Sequence, residues 1–199
     1  MEIKLIMSTP QELIGETAKM CYSTKSLEEG GKDITSTLIH QHEHLSALRF
    51  AYATFEIKGI SVPAHVHILR SGSHQDFMVR SLRYVDINKD GSHFVMPVGL
   101  TEEQEKLMQD QYDSSVKTYN KLRDLGVKKE DARAVLSTNI STSMNVTGNL
   151  QSFWDFFKLR LSLRAQTEVR AIATEMFKLL QEAYPLVFTD AMFKEWNKK

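Results

Sequence analysis

Apolar residues at helical spacing recur through the second half of the chain, and this periodicity limits its possible folds more than any other feature of the sequence. One run comprises Met108, Tyr112, Val116 and Tyr119, at intervals of four, four and three residues. These intervals put the four side chains on one face of a helix, which Gly126 is expected to end. A second stripe comprises Val169, Ile172, Met176, Leu179 and Ala183. The pattern predicts helices over 101–126, 129–136, 150–161 and 165–184.

The first half of the chain carries the signals of a small sheet. Apolar and polar residues alternate over 2–7 and 51–57, which predicts two strands, and 93–96 is a third candidate. Helices are predicted over 10–22, 34–45 and 62–69, the first begun by a capping box in Thr9-Pro10-Gln11-Glu12. The polar stretch 137–149 is expected to be a connection. These elements predict an α+β fold, a small antiparallel-type sheet with a larger helical portion, in one domain over residues 1–199.

Charge and cysteine content exclude several classes of protein. Lys and Arg number 25, as do Asp and Glu, so the net charge is zero and the broad basic surface of a non-specific nucleic-acid binder is not expected. Cys21 is the single cysteine, which excludes an intrachain disulfide and a four-cysteine zinc site. No apolar run reaches the roughly 18 residues of a membrane span, and no secretory signal is evident. We therefore expect a cytoplasmic protein without a membrane or nucleic-acid polymer as its partner.

Histidine and cysteine give little support for metal or nucleophilic chemistry. His40, His42 and His44 are two residues apart, so only the first and last would share a helix face, and no third zinc ligand accompanies them. No metal site is predicted. Cys21 lies inside the predicted first helix and is expected to be packed and buried. The sequence contains no GxSxG, GxxxxGK[ST] or GxGxxG motif.

Arginines are the more informative residues. Five of them lie near Ser, Asn or Gln in segments apolar enough to bury them partly: Arg70, Arg80, Arg83, Arg133 and Arg160. A buried guanidinium needs an anionic or planar partner. For any single arginine this partner could be a carboxylate, such as Asp155 or Glu168 for Arg160, whereas several arginines together favour a planar, phosphorylated ligand.

Four motifs in fixed order make the chain resemble the flavin-dependent thymidylate synthases. They are Asp131-Ala-Arg-Ala-Val-Leu136, Thr147-Gly-Asn-Leu-Gln-Ser152, Phe156-Phe-Lys-Leu-Arg160 and Ala165-Gln-Thr-Glu-Val-Arg170. Upstream, 18–23, 44–46, 55–58 and 81–84 match the family in order, so the resemblance covers about residues 1–185. The Arg-His-Arg signature is reduced to Ile68-Leu69-Arg70, and the loop before Ser81 is three residues longer than usual.

The resemblance implies a chemistry and a set of site residues. It implies that methylenetetrahydrofolate gives its one-carbon unit to C5 of dUMP, with FAD as cofactor and NADPH as reductant, in a homotetramer whose subunits share active sites. Arg160 corresponds to the catalytic arginine that faces the pyrimidine. The positions that correspond to dUMP contacts are His65, Asp76, Ser81, Arg83, Arg133 and Arg160. Those that correspond to FAD contacts are His44, Ser46, Arg70, Asn149 and Asp155.

The altered signature leaves two alternatives open. The longer loop could serve another C5 modification of a pyrimidine nucleotide, for example of dCMP. The loss of two of three signature positions would also suit an inactive homologue that binds nucleotides or acts as a scaffold.

Overall fold

A four-stranded antiparallel sheet in the order β1-β2-β4-β3 organises the fold. The computed structural model describes residues 1–22, 25–26, 28–71, 74–89 and 91–198. The strands are β1 (Glu2–Ser8), β2 (Tyr52–Ser61), β3 (Gln75–Val79) and β4 (Ser141–Asn149). The helices are α1 (Glu12–Lys19), α2 (Thr35–His40), α3 (Val62–Leu69), α4 (Glu102–Asp124), α5 (Lys129–Ala132), α6 (Leu150–Arg160), α7 (Thr167–Ala183) and α8 (Asp190–Trp196). Two 3₁₀ helices, Leu45–Phe50 and Arg133–Val135, complete the described elements, and the predicted α+β class with a small antiparallel sheet is confirmed.

The main core lies between one face of the sheet and the C-terminal helices. Successive residues of a strand point to opposite faces, so Phe55 and Ile57 of β2 are buried while Thr54, Glu56 and Lys58 lie on the outer face. Rings of α6, α7 and the α7–α8 connection meet the inner face, namely Phe153, Phe156, Phe157, Phe177 and Phe188. Phe157 and Phe188 meet edge to face at 5.6 Å, an arrangement that aromatic quadrupoles favour.

A smaller core forms under α4, the long helix of the predicted first stripe. Thr101 and Gln104 close a capping box at its start, and Gly126, with φ +84°, follows its end in the left-handed conformation that suits glycine. Tyr112 and Tyr119 are buried here against the segment that contains Ile140. No described helix is long and apolar enough to cross a membrane.

Two strands lie where the sequence predicted none. The segment 137–149 was expected to be a connection, but residues 141–149 form β4, which pairs with both β2 and β3. Met144 and Val146 face the core, while small polar residues occupy most alternate positions, so apolar periodicity is weak in this strand. Strand β3 lies in the lengthened loop. Its residues show no clear strand pattern, and its extended conformation is stabilised by pairing with β4. Residues 93–96 contribute only an isolated bridge between Phe94 and Ile140.

The predicted start of the first helix is also wrong. Helix α1 begins at Glu12 after Gln11, without a side-chain cap. The Thr9 hydroxyl instead accepts the Tyr52 backbone N–H at 3.0 Å, because the chain is still paired with β2 at this point. Helix α1 ends before Cys21, which is exposed rather than packed in a helix. Helix α2 ends at His40, so His40 and His44 do not share a helix face.

Candidate active site

The C-terminal ends of α3 and α6 meet at Arg160. Its Nε donates to the Ser71 hydroxyl at 2.6 Å, and its Nη2 donates to the His67 carbonyl at 3.2 Å. The Ser71 hydroxyl in turn donates to the same carbonyl. Because the last carbonyls of a helix have no partner within it and carry partial negative charge, the end of α3 is a favourable place for a guanidinium.

Arg160 has no acidic partner within 4 Å in the part of the chain that the structure describes. The alternative partners Asp155 and Glu168 are therefore wrong for this arginine. Burial of the half-buried side chain lowers the pKa of Arg160, and repulsion by Arg70 lowers it further. Arg70 itself is exposed, and neither guanidinium has a carboxylate partner among the described residues, so the partly buried Arg160 favours an anionic ligand.

Glu168 holds the other end of α3. Its two carboxylate oxygens accept the backbone N–H and the hydroxyl of Ser61 at 2.7 and 2.6 Å. Ser61 also caps α3, because its hydroxyl oxygen accepts the Ala64 N–H at 3.2 Å. Helix α3 is therefore fixed by α7 at its start and by Arg160 at its end.

Three of the residues assigned to the nucleotide meet around Glu130. The Arg83 Nε lies 2.6 Å from the Glu130 carboxylate, and the Arg133 Nε donates to the Glu130 carbonyl at 3.1 Å. The Ser81 hydroxyl accepts the Arg83 N–H at 3.3 Å. Arg83 and Arg133, like Arg70, are exposed, contrary to the expectation that they are partly buried, whereas Arg80 and Arg160 are partly buried. An exposed ion pair contributes little stability, so an anionic ligand could replace the Glu130 carboxylate at small cost.

Two of the residues assigned to the flavin, Asn149 and Asp155, lie in a cluster of polar side chains at the start of α6. Asn149 caps the helix, and its Oδ1 accepts the backbone N–H and the hydroxyl of Ser152 at 2.9 and 3.0 Å. Arg49 donates to Gln151 at 2.6 Å from the 3₁₀ helix Leu45–Phe50. A cavity of about 90 Å³ is lined by Arg49, His74, Asn149, Gln151, Ser152 and Asp155.

His44 and Ser46 line a different cavity, also of about 90 Å³. The Tyr22 hydroxyl lies 2.8 Å from His44 Nδ1, and the two rings are nearly parallel with centroids 6.5 Å apart. Cys21 lines the same cavity. In the described part of the chain, no group of three His, Cys, Asp or Glu side chains could hold a metal ion.

Buried polar atoms without partners occur on both sides of the altered signature in the sequence. His65 Nε2 and both amide atoms of Gln75 are buried and have no hydrogen-bond partner among the described residues. Burial lowers the pKa of His65. Asp76, the neighbour of Gln75, is exposed and lies opposite Thr147 on the outer face of the sheet. Leaving a buried polar atom unpaired costs about 1–3 kcal/mol of folding free energy. A ligand that hydrogen-bonds to His65 or Gln75 would remove this cost.

The predicted site residues therefore lie in separate groups. Arg70 and Arg160 form one group, Ser81, Arg83 and Arg133 a second, Asn149 and Asp155 a third, and His44 and Ser46 a fourth. Three larger cavities, of about 490, 430 and 310 Å³, are lined by none of the assigned residues. Sequence reasoning missed Ser71, Arg49 and Glu130, because their side-chain contacts with Arg160, Gln151 and Arg83 join segments that are far apart in the chain. An i,i+3 spacing from Glu130 to Arg133 was the one available signal.

Comparison with known proteins identifies the family. The family described as thymidylate synthase complementing protein matches residues 4–186. A flavin-dependent thymidylate synthase from Geobacter sulfurreducens is 34% identical over an alignment of 204 positions, which covers 96% of this chain and 87% of the relative. The corresponding protein from Pyrococcus horikoshii is 30% identical, with 99% and 84% covered, and that from Sulfurisphaera tokodaii is 29% identical, with 94% and 76% covered. The chain belongs to this family of enzymes, and the predicted membership is confirmed.

Proposed function

We propose that the protein is a flavin-dependent thymidylate synthase that methylates C5 of dUMP, with methylenetetrahydrofolate as one-carbon donor and NADPH as reductant. The observation that carries the proposal is Arg160, a half-buried guanidinium that is held by uncharged acceptors and has no carboxylate partner in the described chain. It lies at the position where the family resemblance puts the pyrimidine. An unneutralised guanidinium suits an anionic nucleotide and disfavours a neutral substrate.

The polar groups present fit a flavin, which we propose is FAD. Asn149 keeps its amide NH₂ after its oxygen has capped α6, and Arg49 supplies a guanidinium beside it. The orphaned Gln75 amide is a further polar group that a ligand could satisfy. We assign His44, Ser46, Arg70, Asn149 and Asp155 to holding this cofactor. When bound, the flavin supplies the electrons that reduce the transferred one-carbon unit.

The residues of the chain bind and polarise the nucleotide in this proposal. Arg160 stabilises negative charge on the pyrimidine as C5 becomes nucleophilic, in a half-buried setting where such a charge is effective. Ser81, Arg83 and Arg133 bind phosphate and carbonyl oxygens, and Arg83 exchanges Glu130 for the nucleotide. His65 and Asp76 complete the proposed contacts.

A homotetramer with shared active sites would explain why these groups are separate in one chain. The cavity beside Asn149 and the cavity beside His44 hold about 90 Å³ each, too little for a whole dinucleotide cofactor. Surfaces from neighbouring subunits would enlarge them and bring the groups together.

The decisive experiment combines a spectrum with an activity assay. Purified protein is expected to show flavin absorption and to form dTMP from dUMP, methylenetetrahydrofolate, NADPH and FAD. Conversion of dCMP instead would establish the alternative C5 modification. Colourless protein that binds neither FAD nor nucleotide would contradict both reactions, and nucleotide binding without turnover would identify an inactive homologue.

Arg160→Ala is the sharpest variant for the mechanism. Loss of this charge-stabilising donor is expected to reduce dTMP formation about a hundredfold to a thousandfold while flavin stays bound. Arg160→Lys is expected to restore little, because an ammonium cannot reproduce the planar guanidinium. If Arg160 were only structural, the melting temperature would fall and the activity of the folded fraction would remain near wild type. Measuring turnover and thermal unfolding on the same samples separates the two outcomes.

A further inference from the structure

Ser71 is the residue through which α3 holds the Arg160 side chain. Its hydroxyl hydrogen is directed to the His67 carbonyl, so its lone pairs are left to accept from Arg160 Nε at 2.6 Å. Arg160 Nη2 donates to the same carbonyl at 3.2 Å, which closes a small ring of three hydrogen bonds. The backbone N–H of Ser71 donates to the Ile68 carbonyl at 3.0 Å and fixes the serine to the last turn of α3.

The nature of this contact matters for the charge on Arg160. An arginine side chain loses rotamer entropy when it is fixed, so it needs partners to hold one orientation. A carboxylate would orient the guanidinium but would also neutralise it. Ser71 and the His67 carbonyl are uncharged acceptors, so they fix the group and leave its full charge for a ligand.

The hydrogen bonds also select which part of the guanidinium remains free. Nε donates to Ser71 and one hydrogen of Nη2 is donated to the His67 carbonyl, whereas Nη1 has no partner among the residues that the structure describes. The free edge is thus the one formed by Nη1 and the second hydrogen of Nη2. A pair of parallel N–H groups of this kind suits a planar oxygen-bearing ligand.

We propose that Ser71 is a positioning residue of the active site, which holds Arg160 in the orientation that the pyrimidine requires without neutralising its charge. This inference rests on the proposed function. It assigns a role to the residue that follows the altered signature Ile68-Leu69-Arg70 and that neither composition nor motif singled out.

The test compares Ser71→Ala with Ser71→Thr, which keeps the hydroxyl, and with Ser114→Ala on the exposed face of α4 as a matched control. Ser71→Ala is expected to lower kcat for dTMP formation about tenfold to a hundredfold, the usual effect of a misplaced catalytic group, with a much smaller change in KM. Ser71→Thr is expected to recover most of kcat, and the control to match wild type. Equal kcat in Ser71→Ala and wild type would overturn the proposal.

A double variant and a crystal structure separate this proposal from the proposed function. If Ser71 acts through Arg160, adding Ser71→Ala to Arg160→Ala causes no further loss of dUMP affinity or turnover, whereas additive losses contradict the proposal. In a crystal structure of Ser71→Ala, the Arg160 guanidinium is expected to leave its wild-type position. An unmoved guanidinium overturns the positioning role even if wild type is inactive, while inactivity of wild type with a displaced guanidinium counts only against the proposed function.

Discussion

The buried imidazole of His65 is expected to make the stability of the folded protein depend on pH. Its Nε2 has no partner in the described chain, and burial lowers the pKa of the imidazole. The folded protein therefore keeps His65 neutral at a pH where the unfolded chain, with a pKa of about 6.5, already takes up a proton. The unfolded state then binds more protons, so the stabilising contribution is complete above that pKa and is lost as pH falls below it.

This difference predicts a pH dependence that neutral replacements remove. Between about pH 7 and pH 5, the free energy of unfolding is expected to fall more steeply for wild type than for His65→Gln or His65→Asn. Chemical denaturation at several pH values measures the two slopes. Parallel slopes for wild type and both variants would show that His65 takes up its proton equally in both states.

Asn149 combines a structural role with a proposed ligand contact, and two substitutions distinguish them. Asn149→Ala removes the α6 cap and is expected to destabilise the protein by about 1 kcal/mol. Asn149→Ser keeps a capping hydroxyl but loses the amide NH₂. Both variants are expected to lose up to about a hundredfold in flavin affinity, the effect of one lost buried hydrogen bond, while only the alanine variant loses stability. Flavin titration and thermal unfolding check this, and full flavin affinity in Asn149→Ser would contradict the assignment.

At the scale of elements, the pairing of β3 with β4 depends on a close approach at Gly148. A Cβ at this position would lie 2.8 Å from Gln75 Cγ and 3.3 Å from the His74 carbonyl. Gly148→Ala is therefore expected to destabilise the protein by about 1–3 kcal/mol, as overpacking does. Adding Gln75→Ala removes the closest atom, so the double variant is expected to be more stable than the sum of the single effects. Denaturant unfolding of all four proteins measures this coupling, and strict additivity would place the strain elsewhere.

The sequence predicted best the elements whose own apolar periodicity is enough to identify them. Helices α4, α6 and α7 carry apolar stripes, which face the smaller core in α4 and the main core in α6 and α7, and their bounds agree closely with prediction. Strand β4 escaped prediction because small polar side chains alternate with few apolar ones, and its order comes from two neighbouring strands. The capping box at Thr9 failed for a related reason, since pairing with Tyr52 competes for the same hydroxyl.

At the scale of the whole molecule, the sequence predicted the family and supplied candidate residues but could not predict their neighbours. The absence of an acidic partner within 4 Å of Arg160 in the described chain, and the contacts to Ser71 and His67, depend on how α3 and α6 end beside each other. Glu130 contacts Arg83 from a distant segment of the chain. Contacts of this kind are set by tertiary packing, which no local pattern encodes.

The last prediction concerns assembly. The assigned cofactor residues line separate small cavities in one chain, beside His44 and beside Asn149. If neighbouring subunits complete the site, light scattering at micromolar concentration should give about four times the chain mass of 22.8 kDa. Arg160→Ala chains can be mixed with Asn149→Ala chains at a flavin concentration too low to fill the sites of the second variant. Subunit exchange should then restore part of the turnover, because some shared sites would contain neither substitution. A stable monomer with full activity would contradict the shared site, and a tetramer without complementation would show that Arg160 and Asn149 of one site do not come from different subunits.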